Sequence, residues 1–365
     1  MTIPISEPVT DSMSQTGQVA EAFEAAVVAG LPLSWDWRQP VILAVSGGAD
    51  SIGMLRAIAA IAPNGAQSQL LVAHVEYDLR DTAERDRRFV VEQAARLGLA
   101  CHWRRLSVEA SGETASQGRE AAARKLRYDF FAALAHAHGA RHVAVGHTLD
   151  DQAETILHRI LRGTGIAGLA GMPRARRLAE GVSLVRPMLA LRRQQVREYL
   201  SASRATWMED ESNTDQRFAR NLLRHRVLAE VEQRQYPAAT VALVRLGEQA
   251  AAFMAKRSEA VERLVDEAVE RQPDGSLLLQ DHLARLAAGD RELLADVFIS
   301  LWRREGWPRQ ELSRRHLGRL TRMITDGNSA TAEHQPAIVL PGAIRARWQA
   351  NGIVLQPPPT KNSCE

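Results

Sequence analysis

The sequence predicts an α/β fold: a parallel sheet with helices on both faces, followed by a mainly helical second domain with a small terminal β element. Three observations predict it. Short continuous apolar runs recur through the first half, helical patterns separate them, and beyond about residue 215 helical spacing takes over. Runs of four to six apolar residues suit strands buried on both faces, and strand and helix in alternation build βαβ units.

In chain order, residues 19–28 read as a short Ala-rich helix, and Val41-Ile42-Leu43-Ala44-Val45 as the first buried strand. Further strands are expected at 70–75, 102–106, 142–145 and 182–185, with helices at 51–61, 82–97, 118–138 and 150–161 between them. The later helical patterns cover 218–232, 238–270, 282–304 and 311–324. Residues 337–340, 343–348 and 353–355 look like short strands broken by Pro-Gly and Asn-Gly turns. At roughly 100 to 200 residues per domain, 365 residues make two domains. The expected boundaries are an N-terminal extension over 1–37, a catalytic domain over 38–216 and a helical domain over 217–365.

Composition narrows the chemistry. Hydrophobic residues form 45% and charged residues 24%, as in folded globular proteins. The first residues lack a basic segment followed by an apolar core, and no stretch approaches a membrane span, so a cytoplasmic protein is expected. Cys101 and Cys364 are the only cysteines, which excludes a disulfide framework and a CxxC metal or redox site. Net charge is a modest +3, but Arg159, Arg162, Arg174, Arg176 and Arg177 follow one another with no acid between Arg159 and Arg177. A second arginine-rich stretch runs over 186–226. Such density suits a polyanion, and equally a solvated basic face.

Ser46-Gly47-Gly48-Ala49-Asp50-Ser51 follows the first strand and opens a helix. Two glycines let successive N–H groups converge on phosphate at a helix N-terminus. Ser46 and Ser51 add hydroxyls, while Asp50 would repel bare phosphate and suits Mg²⁺ bridging its oxygens. No lysine of the GxxxxGK[ST] kind is present. At the end of the fourth strand comes Gly146-His147-Thr148-Leu149-Asp150-Asp151-Gln152-Ala153-Glu154-Thr155. Asp151 and Glu154, three apart, share a helix face and with His147 point at one site, where two carboxylates suit a cationic substrate. A metal cluster extended by His158 and N-capping by Asp150 are the alternatives. The glycine-rich run from Leu161 to Met172 is backbone-exposing or mobile by composition.

The loop matches the SGGxDS signature of the N-type ATP pyrophosphatase superfamily, of adenine nucleotide alpha-hydrolase-like fold. With GHxxDDQxET, RGxGxxGLxGM, Arg186-Pro187, the helix of Glu120, Arg124, Arg127 and Tyr128, and Trp207-Met208-Glu209-Asp210-Glu211-Ser212-Asn213 followed by Arg217, Arg220-Asn221 and Arg224, the chain resembles the tRNA(Ile)-lysidine synthetase family. The resemblance is continuous over about 41–224. One departure is Tyr77, where the family usually shows a second histidine in HVxHxLR, while His74 and Arg80 carry over.

The resemblance implies ATP and Mg²⁺ as cofactors, and a CAU-anticodon tRNA(Ile) and L-lysine as partners. It implies ATP binding by Ser46, Gly47, Gly48, Ala49, Asp50, Ser51 and His74, and the metal on Asp50. Catalytic roles fall to Asp50, Arg127, His147, Asp151 and Glu154, with lysine held by Asp151 and Glu154. Arg162, Arg174, Arg176, Arg177, Arg217, Arg220 and Arg224 are expected to meet the tRNA. A small-molecule amide ligase and a non-catalytic nucleotide-sensing RNA-binding protein are the other readings. The sequence leaves monomer and homodimer open.

Overall fold

The computed structural model describes residues 10–77, 83–107, 116–209, 222–309, 311–326, 337–349 and 351–358. By its internal contacts the chain divides into two compact units, Met1–Ala250 and Ala251–Glu365.

The first unit opens with α1 (Thr10–Gly30) and continues β1 (Val41–Ala44), α2 (Ala49–Ile61), β2 (Leu70–Tyr77), α3 (Ala83–Arg96), β3 (Ala100–Leu106), α4 (Ser116–His138), β4 (His142–Val145) and α5 (Leu149–Leu161). Then come α6 (Ile166–Leu169), β5 (Ala175–Ala179), β6 (Val182–Val185) and α7 (Arg193–Ala202). The strand order is β3-β2-β1-β4-β6-β5. Neighbours from β3 to β6 pair in parallel, with Val41 facing Leu70 on one side and His142 on the other. The predicted parallel sheet is present.

Pleating explains why the central runs are apolar throughout. Successive side chains of β1 point to opposite faces, so Val41 and Leu43 join a core with Phe23 and Val27 of α1, Ile52 and Leu55 of α2, Val90 of α3 and Val196 of α7. Ile42 turns the other way, to Phe131 and Leu134 of α4 and Val143 of β4. Each fully buried side chain of this kind contributes about 1.5 to 3 kcal/mol.

Three features differ from the sequence reading. Helix α1 is longer than the expected 19–28. Strand β5 pairs antiparallel with β6, inside a stretch read as a basic run. Helix α7 fills a segment read only as arginine-rich, although Val196, Tyr199 and Leu200 bury one helical face.

After 222 a π-helical segment, Leu223–Leu228, leads into α8 (Ala229–Arg234) and then α9 (Ala239–Ala268). The expected 282–304 helix is two: α10 (Leu283–Leu286) and α11 (Arg291–Arg304). Gly289 at φ 74° breaks the run, and Asp290 restarts it by accepting from the N–H groups of Glu292 and Leu293 at 2.9 and 3.0 Å. Helix α12 (Arg314–Asp326) follows.

The second unit's sheet, ordered β7-β8-β11-β10-β9, has five strands: β7 (Val269–Arg271), β8 (Leu277–Gln280), β9 (Ile338–Leu340), β10 (Ile344–Gln349) and β11 (Gly352–Gln356). Only the last three are expected from sequence. The sheet is antiparallel and packs on Phe298 and Trp302 of α11 and Leu320 of α12. No described helix is long and apolar enough to cross a membrane.

Candidate active site

The C-terminal ends of β1, β2 and β4 open on a cavity of about 880 Å³, which is where ligands sit in open α/β sheets. Its floor is the loop between β1 and α2. Gly47 takes φ 101°, a left-handed conformation that glycine adopts without a Cβ penalty. The Ser51 hydroxyl accepts from the N–H groups of Ser46 and Gly47 at 3.1 and 3.2 Å and donates to the Gly48 carbonyl at 2.9 Å. Ser51 therefore shapes the loop from inside. Gly48 caps α2 without a side-chain acceptor, so the first-turn N–H groups face the cavity as an anion site. Met208 closes the far side, its N–H donating to the Gly47 carbonyl at 2.9 Å.

His74, on β2, is buried and donates from Nδ1 to the Val45 carbonyl at 2.8 Å. Burial holds its pKa below the ordinary value, so it is neutral, and Nε2 has no hydrogen-bond partner among the described residues. At the end of β4, Nδ1 of His147 accepts from Arg186 Nε at 3.2 Å. Because a guanidinium only donates, neutral His147 carries its proton on Nε2. Arg186 is itself buried and also holds the Pro173 carbonyl at 2.7 Å. Desolvation lowers its pKa to about 10.

Thr148, not Asp150, caps α5. The Asp151 carboxylate accepts from Thr148 N–H at 2.9 Å, and Asp151 N–H donates back to the Thr148 hydroxyl at 3.5 Å. Asp150 instead accepts the backbone N–H of Arg193 at 2.8 Å. With the helix start fixed in this way, Asp151 and Glu154 sit on one buried face.

Two guanidiniums engage the carboxylates. Arg193, at the first turn of α7, donates from Nε to Asp50 at 3.2 Å, from Nη1 to Glu154 at 2.9 Å and from Nη2 to Asp151 at 2.6 Å. Arg224 donates from Nε to Glu154 at 2.7 Å and from Nη2 to Asp151 at 3.2 Å. The family resemblance implies an RNA contact for Arg224; its guanidinium lies in the cavity, on the acid pair. Burial raises the Asp50 pKa to about 6 against the opposing pull of Arg193. The three surrounding acids outweigh burial at Arg193 and raise its pKa.

Opposite the loop, Arg124, Arg127 and Arg176 gather on the Tyr128 ring, with guanidinium carbons 4.9, 5.6 and 4.9 Å from its centroid. The Tyr77 hydroxyl donates to the Ala123 carbonyl at 3.3 Å, so the residue standing for the family histidine bonds to α4. Arg162, Arg174 and Arg177 are exposed. Arg80, Arg217, Arg220 and the 210–213 motif lie outside the described residues.

The glycine-rich run is pinned, contrary to a mobile linker. Gln152 accepts from Met172 N–H at 2.7 Å and donates to its carbonyl at 3.0 Å, while Arg159 donates to the carbonyls of Gly168 and Gly171 at 2.9 and 2.8 Å.

A family model described as a PP-loop domain matches residues 19–231. The tRNA(Ile)-lysidine synthase of Salinispora arenicola is 36% identical over 323 residues, covering 87% of this chain and 91% of that protein. The chain belongs to the tRNA(Ile)-lysidine synthase family. The synthase of Geobacter sulfurreducens is 35% identical over 306 residues, covering 82% of this chain and 62% of that one. For a synthase of Thermus thermophilus the identity is 40% over 211 residues, covering 58% of this chain and 39% of the relative. The chain thus spans less than two thirds of some synthases and nearly all of others. Among solved structures, a U34-tRNA thiolase from Methanococcus maripaludis has a TM-score of 0.53 at 14% identity, covering 64% of this chain and 80% of that one. That likeness is one of fold.

Of the residues singled out in the sequence, Ser46, Gly48, Ala49, Asp50, Ser51, His74, Arg127, His147, Asp151 and Arg224 line one cavity, whereas Gly47 does not and Glu154 is buried beside Asp151. Arg193 is the functional candidate that sequence reasoning missed, and Arg186, read there only as part of a motif, gains its role from the bond to His147.

Proposed function

We propose that this chain is an ATP-dependent ligase that adenylates the wobble cytidine of CAU-anticodon tRNA(Ile) and attaches L-lysine at C2. The product is lysidine, which changes the anticodon from AUG to AUA reading. The observation that carries this is a cavity in which a phosphate loop bearing Asp50 faces Asp151, with Glu154 buried beside it and Arg193 joining all three carboxylates, an acidic wall suited to an amine. Family membership supports the same reading.

In the first step the cytosine O2 attacks the α-phosphate of ATP. A bond forms from O2 to phosphorus, the bond to the bridging oxygen breaks, and pyrophosphate leaves. The first-turn N–H groups of α2 receive the phosphates, and Arg127 with Arg124 offers guanidiniums where charge grows. The donor set fits Mg²⁺ arriving with the nucleotide. Mg²⁺ is commonly held by one or two carboxylates plus phosphate oxygens, Asp50 and Asp151 border the cavity, and the described residues include no cluster able to bind a metal alone. Held by Asp50, it would neutralise the leaving pyrophosphate.

In the second step the lysine amine attacks C2. The ammonium first gives up a proton to water, the C2–N bond forms, the C2–O bond breaks, AMP leaves carrying that oxygen, and the adduct nitrogen passes its remaining surplus proton to water. Asp151 on the cavity wall, with Glu154 buried beside it, draws in the lysine ammonium before it gives up its proton, and His147, its Nε2–H oriented by Arg186, donates to a phosphate oxygen. The exposed Arg162, Arg174 and Arg177 meet RNA phosphates, with Arg176 beside Tyr128. In this reading residues 38–216, completed by Arg224, catalyse, the rest of 217–365 holds the tRNA, and the protein works in the cytoplasm.

The test is Asp50→Ala. We expect it to abolish tRNA-dependent pyrophosphate release while filter retention of the tRNA persists; unchanged release refutes the role of Asp50.

A further inference from the structure

Arg193 bridges groups that belong to different halves of the proposed reaction. Asp50 stands in the first turn of α2 on the nucleotide side; Asp151 and Glu154 stand on α5 on the amine side. Three nitrogens of one guanidinium reach all three carboxylates. Arg224 reaches only the acid pair.

The bridge is also anchored. The Arg193 N–H is held by Asp150 at 2.8 Å, and Val196, Tyr199 and Leu200 bury the inner face of α7. Helix α7 lies so near α2 that a Cβ on Gly53 would come within 2.6 Å of a Val196 methyl. The backbone carrying Arg193 has little freedom to shift.

We propose that Arg193 is a positioning residue that locks Asp50 and the Asp151–Glu154 pair into one register, so that the acid pair governs adenylation as well as attack by the amine. The proposal rests on the two-step reading above. Without the Arg193 guanidinium, Arg224 still pairs Asp151 and Glu154, but the Asp50 carboxylate faces them with its ion pair to Arg193 gone and moves away. Lysine at this position keeps the charge but lacks the planar fork that spans three acceptors.

Adenylation can be read alone, as tRNA-dependent pyrophosphate release without lysine. We expect Asp151→Asn to slow that release in the wild-type background by about tenfold, and to leave it within about twofold in an Arg193→Met background, a non-additivity typical of residues in one network. Arg193→Lys is expected to lower kcat by at least about tenfold with KM for ATP little changed. Methylguanidinium is expected to restore part of the rate to Arg193→Ala, where methylammonium does not.

Independent, multiplying effects of the two substitutions overturn the proposal, as does absence of guanidinium rescue. Should Arg193→Met fail to fold, Arg193→Lys carries the same comparison. Wild-type protein that releases no pyrophosphate with the tRNA transcript refutes the functional reading itself, a distinct outcome.

Discussion

The α-carbon of Gly146 lies against the backbone of Asp50: a Cβ there would stand 2.8 Å from the Asp50 carbonyl oxygen and 3.0 Å from its carbon. Both atoms are main chain, so neither can rotate aside. This contact sets how near the end of β4 comes to the phosphate loop. Gly146→Ala must push the two apart, at a cost of about 1 to 3 kcal/mol for overpacking. We expect a lower urea midpoint and at least about a tenfold loss of ATP-dependent turnover; a variant unchanged in both contradicts the contact.

Asp50 is held in a form that costs stability. Its pKa, raised by burial from 3.8 to about 6, makes the native state bind this proton more tightly than the unfolded chain does. The associated stability is fully present below the unfolded value and is lost as pH rises through about 6. Asn, which cannot ionise, should therefore stabilise the nucleotide-free protein by roughly 1 to 3 kcal/mol at pH 7.5. The gain should vanish towards pH 4. Thermal melts in chelator at the two pH values check it, and a gain of equal size at both contradicts it.

Gln152 holds the glycine-rich loop by both ends of its amide. Gln152→Ala leaves the Met172 N–H and carbonyl without these partners, a loss of about 1 to 3 kcal/mol. Limited tryptic digestion should then cut after Arg162 and Arg174 several times faster than in wild type, with the sheet intact by circular dichroism. Equal cleavage rates would show that the loop is held elsewhere.

Burial pushes the Cys101 thiol up to about 11, so little thiolate exists near neutrality. Iodoacetamide at pH 7.5 should leave the Cys101 peptide unmodified in native protein and label it after denaturation, read by mass spectrometry. Rapid native labelling would contradict the burial.

Much of this site is legible in the sequence because its parts are local. Ser46 to Ser51 sit between a strand and a helix, and Asp151 and Glu154 share a face by spacing alone. Arg193 is not legible in that way. It follows Arg192 in a basic stretch, and only the packing of α7 turns one guanidinium inward to acids 39 to 143 residues away along the chain. The i, i+3, i+4 spacing of Val196, Tyr199 and Leu200 is a helix signal that arginine density masks. Strands β7 and β8 are similar: Pro273-Asp274-Gly275 is a turn signature, with Gly275 at φ 81°, yet β7 continues directly from α9.

The most direct test of the central claim is to incubate the purified protein with ATP, Mg²⁺, labelled lysine and a CAU-anticodon tRNA(Ile) transcript. We expect label on the RNA at the wobble cytidine, with one pyrophosphate and one AMP released per lysine attached, and none on a transcript carrying another wobble base. Pyrophosphate release without RNA-bound lysine, or lysine attached regardless of the wobble base, would contradict the account.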